Sequence, residues 1–165
     1  MLKAVVLAVI ACVSIQQQLQ TGHDSQKNLT TVRLPSQSLS GQKDRYHSLS
    51  FSVYYEYPGK TPTPPERVNF ELRSVVKARR LNTDLYVVFV VDGTPVHFGS
   101  NRSAIRNPVP GQSWIGEKMV FPMTRAEFLK IAAAKTLAIK LGAVTFEFSD
   151  EMLAKVRAVA DGIKD

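Results

Sequence analysis

A strict alternation of side chains from His47 to Tyr57 is the feature that most constrains the fold of this chain. One parity carries His47, Leu49, Phe51, Val53, Tyr55 and Tyr57, and the other carries Ser48, Ser50, Ser52, Tyr54 and Glu56. Successive side chains of a strand point to opposite faces, so a period of two predicts a strand with one buried face. Such a strand requires a sheet around it, and the chain is therefore expected to fold mainly as β-structure.

Further strands are predicted downstream of this segment. Val68, Phe70 and Leu72 alternate with polar residues, and the change of phase at Ser74-Val75 predicts a β-bulge. The continuous apolar run over residues 85–91 predicts a strand covered on both faces. Asp92-Gly93 then predicts a hairpin turn, because both turn positions favour positive φ, and Pro95 predicts an edge position for the returning strand.

Two helices are predicted late in the chain. Thr124 and Glu127 have the spacing of a capping box, and Ser149 is a suitable N-cap for a final amphipathic helix. Between them, residues 136–148 predict a second hairpin that turns at Gly142-Ala143. These elements together predict an α+β fold, with a mostly antiparallel sheet of about six to seven strands and two helices near the C-terminus. The predicted globular domain covers residues 46–165.

The N-terminal segment has the anatomy of an export signal over residues 1–11. Lys3 supplies a positive start, and residues 4–11 supply a short apolar run. This run is too short to span a bilayer, which needs about 20 apolar residues. The sequence therefore predicts a protein that is exported to the periplasm or the outer cell envelope.

The four residues Val9-Ile10-Ala11-Cys12 resemble the lipobox of bacterial lipoproteins. That resemblance implies cleavage before Cys12 and attachment of a lipid to its thiol, which would anchor the protein to a membrane. An ordinary cleaved signal that happens to contain a cysteine is the alternative, and a buried first strand is a third interpretation. In both signal interpretations Cys12 becomes the first residue of the mature chain.

Residues 12–45 are rich in Gln, Ser and Thr, and only a short piece over residues 30–34 breaks their polar character. Such composition buries little apolar area and is typical of flexible segments. We therefore expect a flexible polar tether between the signal and the folded domain.

The charge of the chain argues against a nucleic-acid binder. The formal net charge is +7, of which residues 1–45 carry +3 (five Lys/Arg, two Asp/Glu) and residues 46–165 carry +4 (sixteen against twelve). Nucleic-acid binding requires a concentrated basic patch, and the sequence shows none beyond Lys77, Arg79 and Arg80. A mildly basic domain is equally suited to an anionic component of the cell envelope.

No pattern of catalytic or metal-binding residues stands out. One cysteine excludes an internal disulfide, and the three histidines lack metal-ligand spacing. A Gly-x-Ser-x-Gly nucleophile turn and a Gly-rich phosphate loop are both missing from the sequence. We therefore predict neither a metal nor a cofactor.

The predicted ligand-binding residues lie in a long loop over residues 99–116, which holds Arg102, Arg106 and Trp114. Arginines can bind carboxylates or phosphates through a bidentate fork, and tryptophan can stack on a ligand. Burial of Trp114 in the core is the alternative. A second candidate is the group of Tyr54, Tyr55 and Tyr57, whose alternative is ordinary cross-strand packing.

These observations favour a non-enzymatic envelope module that binds a protein partner or an anionic envelope component, and that is attached to the membrane through Cys12 if this cysteine is lipidated. Two alternatives stay open. One is an envelope-acting enzyme or enzyme inhibitor whose site is assembled only by the fold. The other is a cytosolic basic binding protein that keeps its N-terminus.

Overall fold

A computed structural model describes residues 19–39, 48–76, 87–97, 103–108, 115–141 and 144–164 of the chain. Ten strands in this part form two sheets in which every pairing is antiparallel. The strands are β1 (Gln20–Asp24), β2 (Leu29–Ser38), β3 (Ser48–Pro58), β4 (Arg67–Val76), β5 (Val87–Val91), β6 (Thr94–Val96), β7 (Ser103–Pro108), β8 (Ile115–Thr124), β9 (Leu137–Leu141) and β10 (Val144–Glu147).

The larger sheet has the strand order β1-β2-β3-β4-β8-β7, and the smaller sheet has the order β10-β9-β5-β6. Helix α1 (Arg125–Ala132) follows β8, and helix α2 (Asp150–Asp161) follows β10. The predicted α+β class, mostly antiparallel with two late helices, is confirmed. The described strands outnumber the expected six to seven, because β1, β2 and β7 lie in regions that were predicted to be irregular.

Aromatic rings join the two sheets across a shared core. The ring of Phe70 on β4 meets that of Phe89 on β5 edge to face, with centroids 5.1 Å apart. Phe148, which follows β10, lies 4.7 Å from Phe51 on β3 by the same measure. The predicted alternation of buried and outward side chains is confirmed in β3, where Leu49, Phe51, Val53, Tyr55 and Tyr57 are all buried.

The prediction of a flexible tether over residues 12–45 is wrong for the residues that the structure describes. Strands β1 and β2 form a hairpin, and β2 pairs with β3 so that Leu34 lies opposite Val53. Val32 and Leu34 are buried in the core. A half-buried strand needs apolar residues at only every second position, so an otherwise polar segment completes the sheet once β3 supplies the backbone partners.

The predicted β-bulge at Ser74-Val75 is also absent from the described strands. The register of β4 runs without a break against β3 and against β8. Ser74 stays on the inner face, where its hydroxyl donates to Glu117 Oε2 at 3.3 Å, so a polar residue occupies a core position without a change of phase. The one register shift of this sheet's described pairs lies between Leu34 and Gln37 in β2.

The first predicted hairpin and both helix N-caps are confirmed. Strand β9 pairs with β10 as expected for the second hairpin, whose predicted turn at Gly142-Ala143 lies outside the described residues. Asp92 and Gly93 have φ of 49° and 78°, and β6 is an edge strand that contains Pro95. In β5 the buried residues alternate with half-buried ones, so its second face is only partly covered rather than fully buried as expected. Thr124 and Glu127 form the capping box of α1. No helix in the described part of the chain is both long and apolar enough to cross a membrane.

Candidate functional site

The predicted loop site lies largely outside the described residues. Cys12, Arg102 and Trp114 all fall there. Arg106 belongs to strand β7, at the register position opposite Glu117 of β8. The segment over residues 99–116 is therefore not one long loop, because antiparallel pairing with β8 provides backbone hydrogen-bond partners for residues 103–108.

The second candidate, the tyrosine group, is divided between two faces of β3. Tyr55 and Tyr57 point into the core, with ring centroids 6.3 Å apart, and the Tyr55 hydroxyl donates to the Gly162 carbonyl at 3.4 Å. Tyr54 lies on the opposite, outer face. Its ring is covered by Arg33, whose Cζ is 4.4 Å from the ring centroid. Core packing therefore accounts for two of the three tyrosines.

A cluster of charges on the outer face of the larger sheet was not anticipated. Odd-numbered residues of β4 point away from the core, and Glu71 stands in the middle of this face, opposite Ser52 of β3 and opposite Val120 of β8. Arg33, Arg73 and Lys118 surround its carboxylate. We call these four residues the basic cluster.

The three cations of the basic cluster are directed at the Glu71 carboxylate. Arg73 Nε donates a short hydrogen bond to Oε1, and Arg33 Nη1 lies 3.7 Å from the same oxygen. Ser52 Oγ accepts from Arg33 Nη1 at 3.3 Å and donates to Oε1 at 3.5 Å. Lys118 Nζ lies 3.5 Å from Oε2, which accepts no hydrogen bond from the described residues.

The cations hold the pKa of Glu71 below its ordinary value. Burial disfavours the charged form and would by itself raise the pKa, but the hydrogen bond from Arg73 and the charges of Arg73, Lys118 and Arg33 outweigh it. Nearby, burial and the charge of Glu71 raise the pKa of Tyr54 above its ordinary value. At neutral pH the carboxylate is therefore ionised and the phenol is neutral.

The Glu71 carboxylate is buried, whereas the three cations around it are partly exposed. The side chain of Glu71 is 1% exposed, whereas those of Arg33, Lys118 and Arg73 are 32%, 35% and 56% exposed. Three positive charges against one negative charge leave a net +2 in the cluster. Water and solutes meet the cations first, so this face presents unbalanced positive charge to an approaching anion.

The donors of the basic cluster are two guanidinium groups and one ammonium group, all directed toward one carboxylate. Among the described residues, no group of three or more His, Cys, Asp or Glu side chains is placed to hold a metal ion. Guanidinium groups bind oxyanions through directed N–H donors, and this is the chemistry that the cluster offers.

Two concave surfaces elsewhere are weaker candidates. One, of about 420 Å³, lies beside the β5–β6 turn, and its titratable residues Lys135, Glu147 and Asp150 are all exposed. The other, of about 330 Å³, lies between α1 and α2. There Arg157 is already engaged, because its Nε and Nη2 donate to the carbonyls of Ala132 and Ala134. Neither surface includes a residue of the basic cluster.

The chain matches no model of a known protein family and no curated protein sequence.

Proposed function

We propose that this protein is an exported, non-enzymatic binding module that holds an anionic component of the cell envelope on the outer face of its larger sheet. The observation that carries the proposal is the basic cluster, in which three partly exposed cations share one buried carboxylate. The carboxylate balances one of the three positive charges, and the other two are not balanced within the cluster. These two charges are available to a ligand.

Export and anchoring are supported by the N-terminal sequence. Cleavage before Cys12 would leave only residues 13–19 between a lipidated cysteine and the first residue of β1. Seven residues span at most about 25 Å when fully extended. A lipid on Cys12 would thus hold the domain close to the membrane surface, within reach of anionic headgroups and of polymers attached there.

Sedimentation with lipid vesicles tests the binding proposal. The full mature chain is mixed with phosphatidylcholine vesicles, with and without phosphatidylglycerol, at low and high salt. We expect binding only to the anionic vesicles, with loss at high salt because screening weakens exposed charges. The double variant Arg33→Ala/Arg73→Ala should bind at least about tenfold more weakly, since it loses charge-assisted hydrogen bonds.

The double variant Lys135→Ala/Lys140→Ala is the matched control for this experiment. Both lysines are exposed, at or just before strand β9 of the smaller sheet, so the control removes the same two positive charges without touching the basic cluster. If it weakens binding as much as Arg33→Ala/Arg73→Ala does, attraction is due to total charge and the site assignment is wrong.

The intact mass of the protein from its native host tests export. A chain that begins at Cys12 and carries added acyl mass would establish a lipoprotein, and one that begins at unmodified Cys12 would establish plain secretion. Retention of Met1 would overturn the export proposal and support a cytosolic basic binding protein instead.

A further inference from the structure

We propose that the group recognised by the basic cluster is a phosphate monoester dianion, bound by Arg33, Arg73 and Lys118. This inference rests on the proposed function, because it names the ligand of the same site. It depends on the distances and charges of Glu71 and its partners and on the charge and shape of oxyanions.

The charge of the cluster favours a dianion. Three cations and one carboxylate leave +2, and a phosphate monoester carries a charge of about −1.5 to −2 at pH 7. A carboxylate, a sulfate monoester or a phosphodiester carries only one negative charge. Each of these would leave the cluster with a positive charge after binding, whereas a monoester would neutralise it.

The arrangement of donors favours three acceptor oxygens over two. The cations come from three strands, β2, β4 and β8, and converge on one carboxylate from different directions. Arg73 uses Nε on Glu71, which leaves the four Nη protons of its guanidinium for other acceptors. A planar carboxylate suits one guanidinium fork, but a phosphoryl group has three oxygens to share among three cations.

Glu71 acts as the positioning residue for these donors. The three like charges on β2, β4 and β8 repel one another, and the buried negative charge of Glu71 holds them together before a ligand arrives. Arg33 is fixed further by its contacts with the Tyr54 ring and with Ser52 Oγ. Donors that are already ordered lose less freedom on binding, so the site is preorganised for its anion.

The proposed ligand has a distinctive pH dependence. The second proton of a phosphate monoester leaves with a pKa of about 6, so affinity should rise between pH 5 and pH 7. Within the cluster, Glu71 has a lowered pKa and stays ionised in this range, and neighbouring Tyr54 has a raised pKa and stays neutral. Arginine and lysine side chains are ordinarily charged over this range, and Glu56 of β3 is a further acidic residue farther along this face. The rise should therefore come from the ligand.

NMR titration of the full mature chain tests the inference. Methyl phosphate is compared at constant ionic strength with methyl sulfate, which has the same shape but one charge, and with malonate, which has two charges on planar groups. We expect methyl phosphate to bind about tenfold more tightly than either at pH 7.5, with shifts in the Arg33 and Arg73 side-chain signals. Its advantage over methyl sulfate should disappear at pH 5.

Two variants separate recognition from simple attraction. Arg73→Lys keeps the charge but loses the guanidinium, and it should reduce the preference for methyl phosphate over malonate. Glu71→Gln raises the cluster to +3 and should strengthen general anion binding while lowering the same preference, because the donors are no longer held together. Lys140→Ala should change neither result. An unchanged preference in both cluster variants would overturn the proposal.

Binding to vesicles distinguishes a phosphate carried by a lipid from a soluble or polymer-borne one. It also shows whether a negative result rejects only the phosphate assignment or the proposed function as well. Stronger binding to phosphatidic acid than to phosphatidylglycerol would identify a lipid monoester, and binding of methyl phosphate without that difference would identify a soluble or polymer-borne one. Equal affinity for all three small anions, with binding to anionic vesicles intact, would reject the phosphate assignment and leave the proposed function standing. Loss of vesicle binding as well would reject both.

Discussion

At the scale of single residues, Glu71 is the most consequential side chain of the described structure. It is almost completely buried, yet it lies on the face of the sheet that points away from the core. The sequence marks Glu71 only as an outward residue of a predicted strand, and it places Arg33 in a supposed tether. Their meeting depends on the pairing of β2 with β3 and of β3 with β4, a register that composition and periodicity do not supply.

Glu71→Gln should destabilise the protein at neutral pH and much less in acid. The folded-state pKa of Glu71 lies below its ordinary value of 4.5, so ionised Glu71 contributes stability above that value and loses it as the pH falls through the folded pKa. We expect the variant to lose about 1.5–3 kcal/mol at pH 7, the range for hydrogen bonds to charged groups. Urea unfolding at a series of pH values measures the difference in the free energy of unfolding between the wild-type protein and the variant.

The free energies of unfolding of the two proteins should begin to converge below about pH 4.5, where the unfolded-state carboxyl takes up its proton, and should meet only below the lower pKa of Glu71 in the folded state. A gap that is independent of pH would show that the substitution acts through packing rather than through charge. Glu147→Gln is the matched control, because that carboxylate is exposed on the edge strand β10.

Among the secondary-structure elements, the β1–β2 hairpin is one that the sequence did not predict, whereas the neighbouring strand β3 was predicted. Strand β3 was predictable because its alternation is uninterrupted over eleven residues. Strand β2 was not, because Pro35 and the register shift before Gln37 break its period after Leu34. The helices were predictable because their caps are local, as the capping box of Thr124 and Glu127 illustrates.

Leu34→Ala tests whether this hairpin belongs to the folded core. Leu34 is 1% exposed and lies opposite Val53, so its truncation should cost about 2–5 kcal/mol through lost burial and a residual cavity. Thermal and urea unfolding measure the loss. Ser36→Ala is the control in the same strand, since Ser36 is exposed and should change stability by no more than about 0.5 kcal/mol. Equal, small effects would mean that the hairpin contributes nothing to the core.

At the scale of the whole molecule, two sheets share one core through Phe70, Phe89 and Phe121. The Phe89 ring lies edge to face with both others, at 5.1 Å from Phe70 and 5.9 Å from Phe121. The sequence predicted most of the strands that take part and the class of fold. The sequence did not predict the division of these strands into two sheets, because that division is set by long-range pairings such as β5 with β9 and β4 with β8.

Phe89→Ala should therefore destabilise both sheets together. We expect a loss of about 3–5 kcal/mol in a single cooperative transition, detected equally by far-UV circular dichroism and by tyrosine fluorescence. Val88→Ala is the matched control, because Val88 is half-buried on the opposite face of the same strand. Two separated transitions in the variant would contradict a shared core.

The contacts that α2 and the following Gly162 make with β2 and β3 have a consequence for the timing of folding. Lys155 Nζ donates to Gln37 Oε1 at 2.8 Å across 118 positions, and Tyr55 binds the Gly162 carbonyl across 107. Contacts so distant in sequence make folding slow, and these contacts cannot form until the ribosome has released residues near position 160. A nascent chain therefore lacks both contacts until nearly all of the described residues have been synthesised.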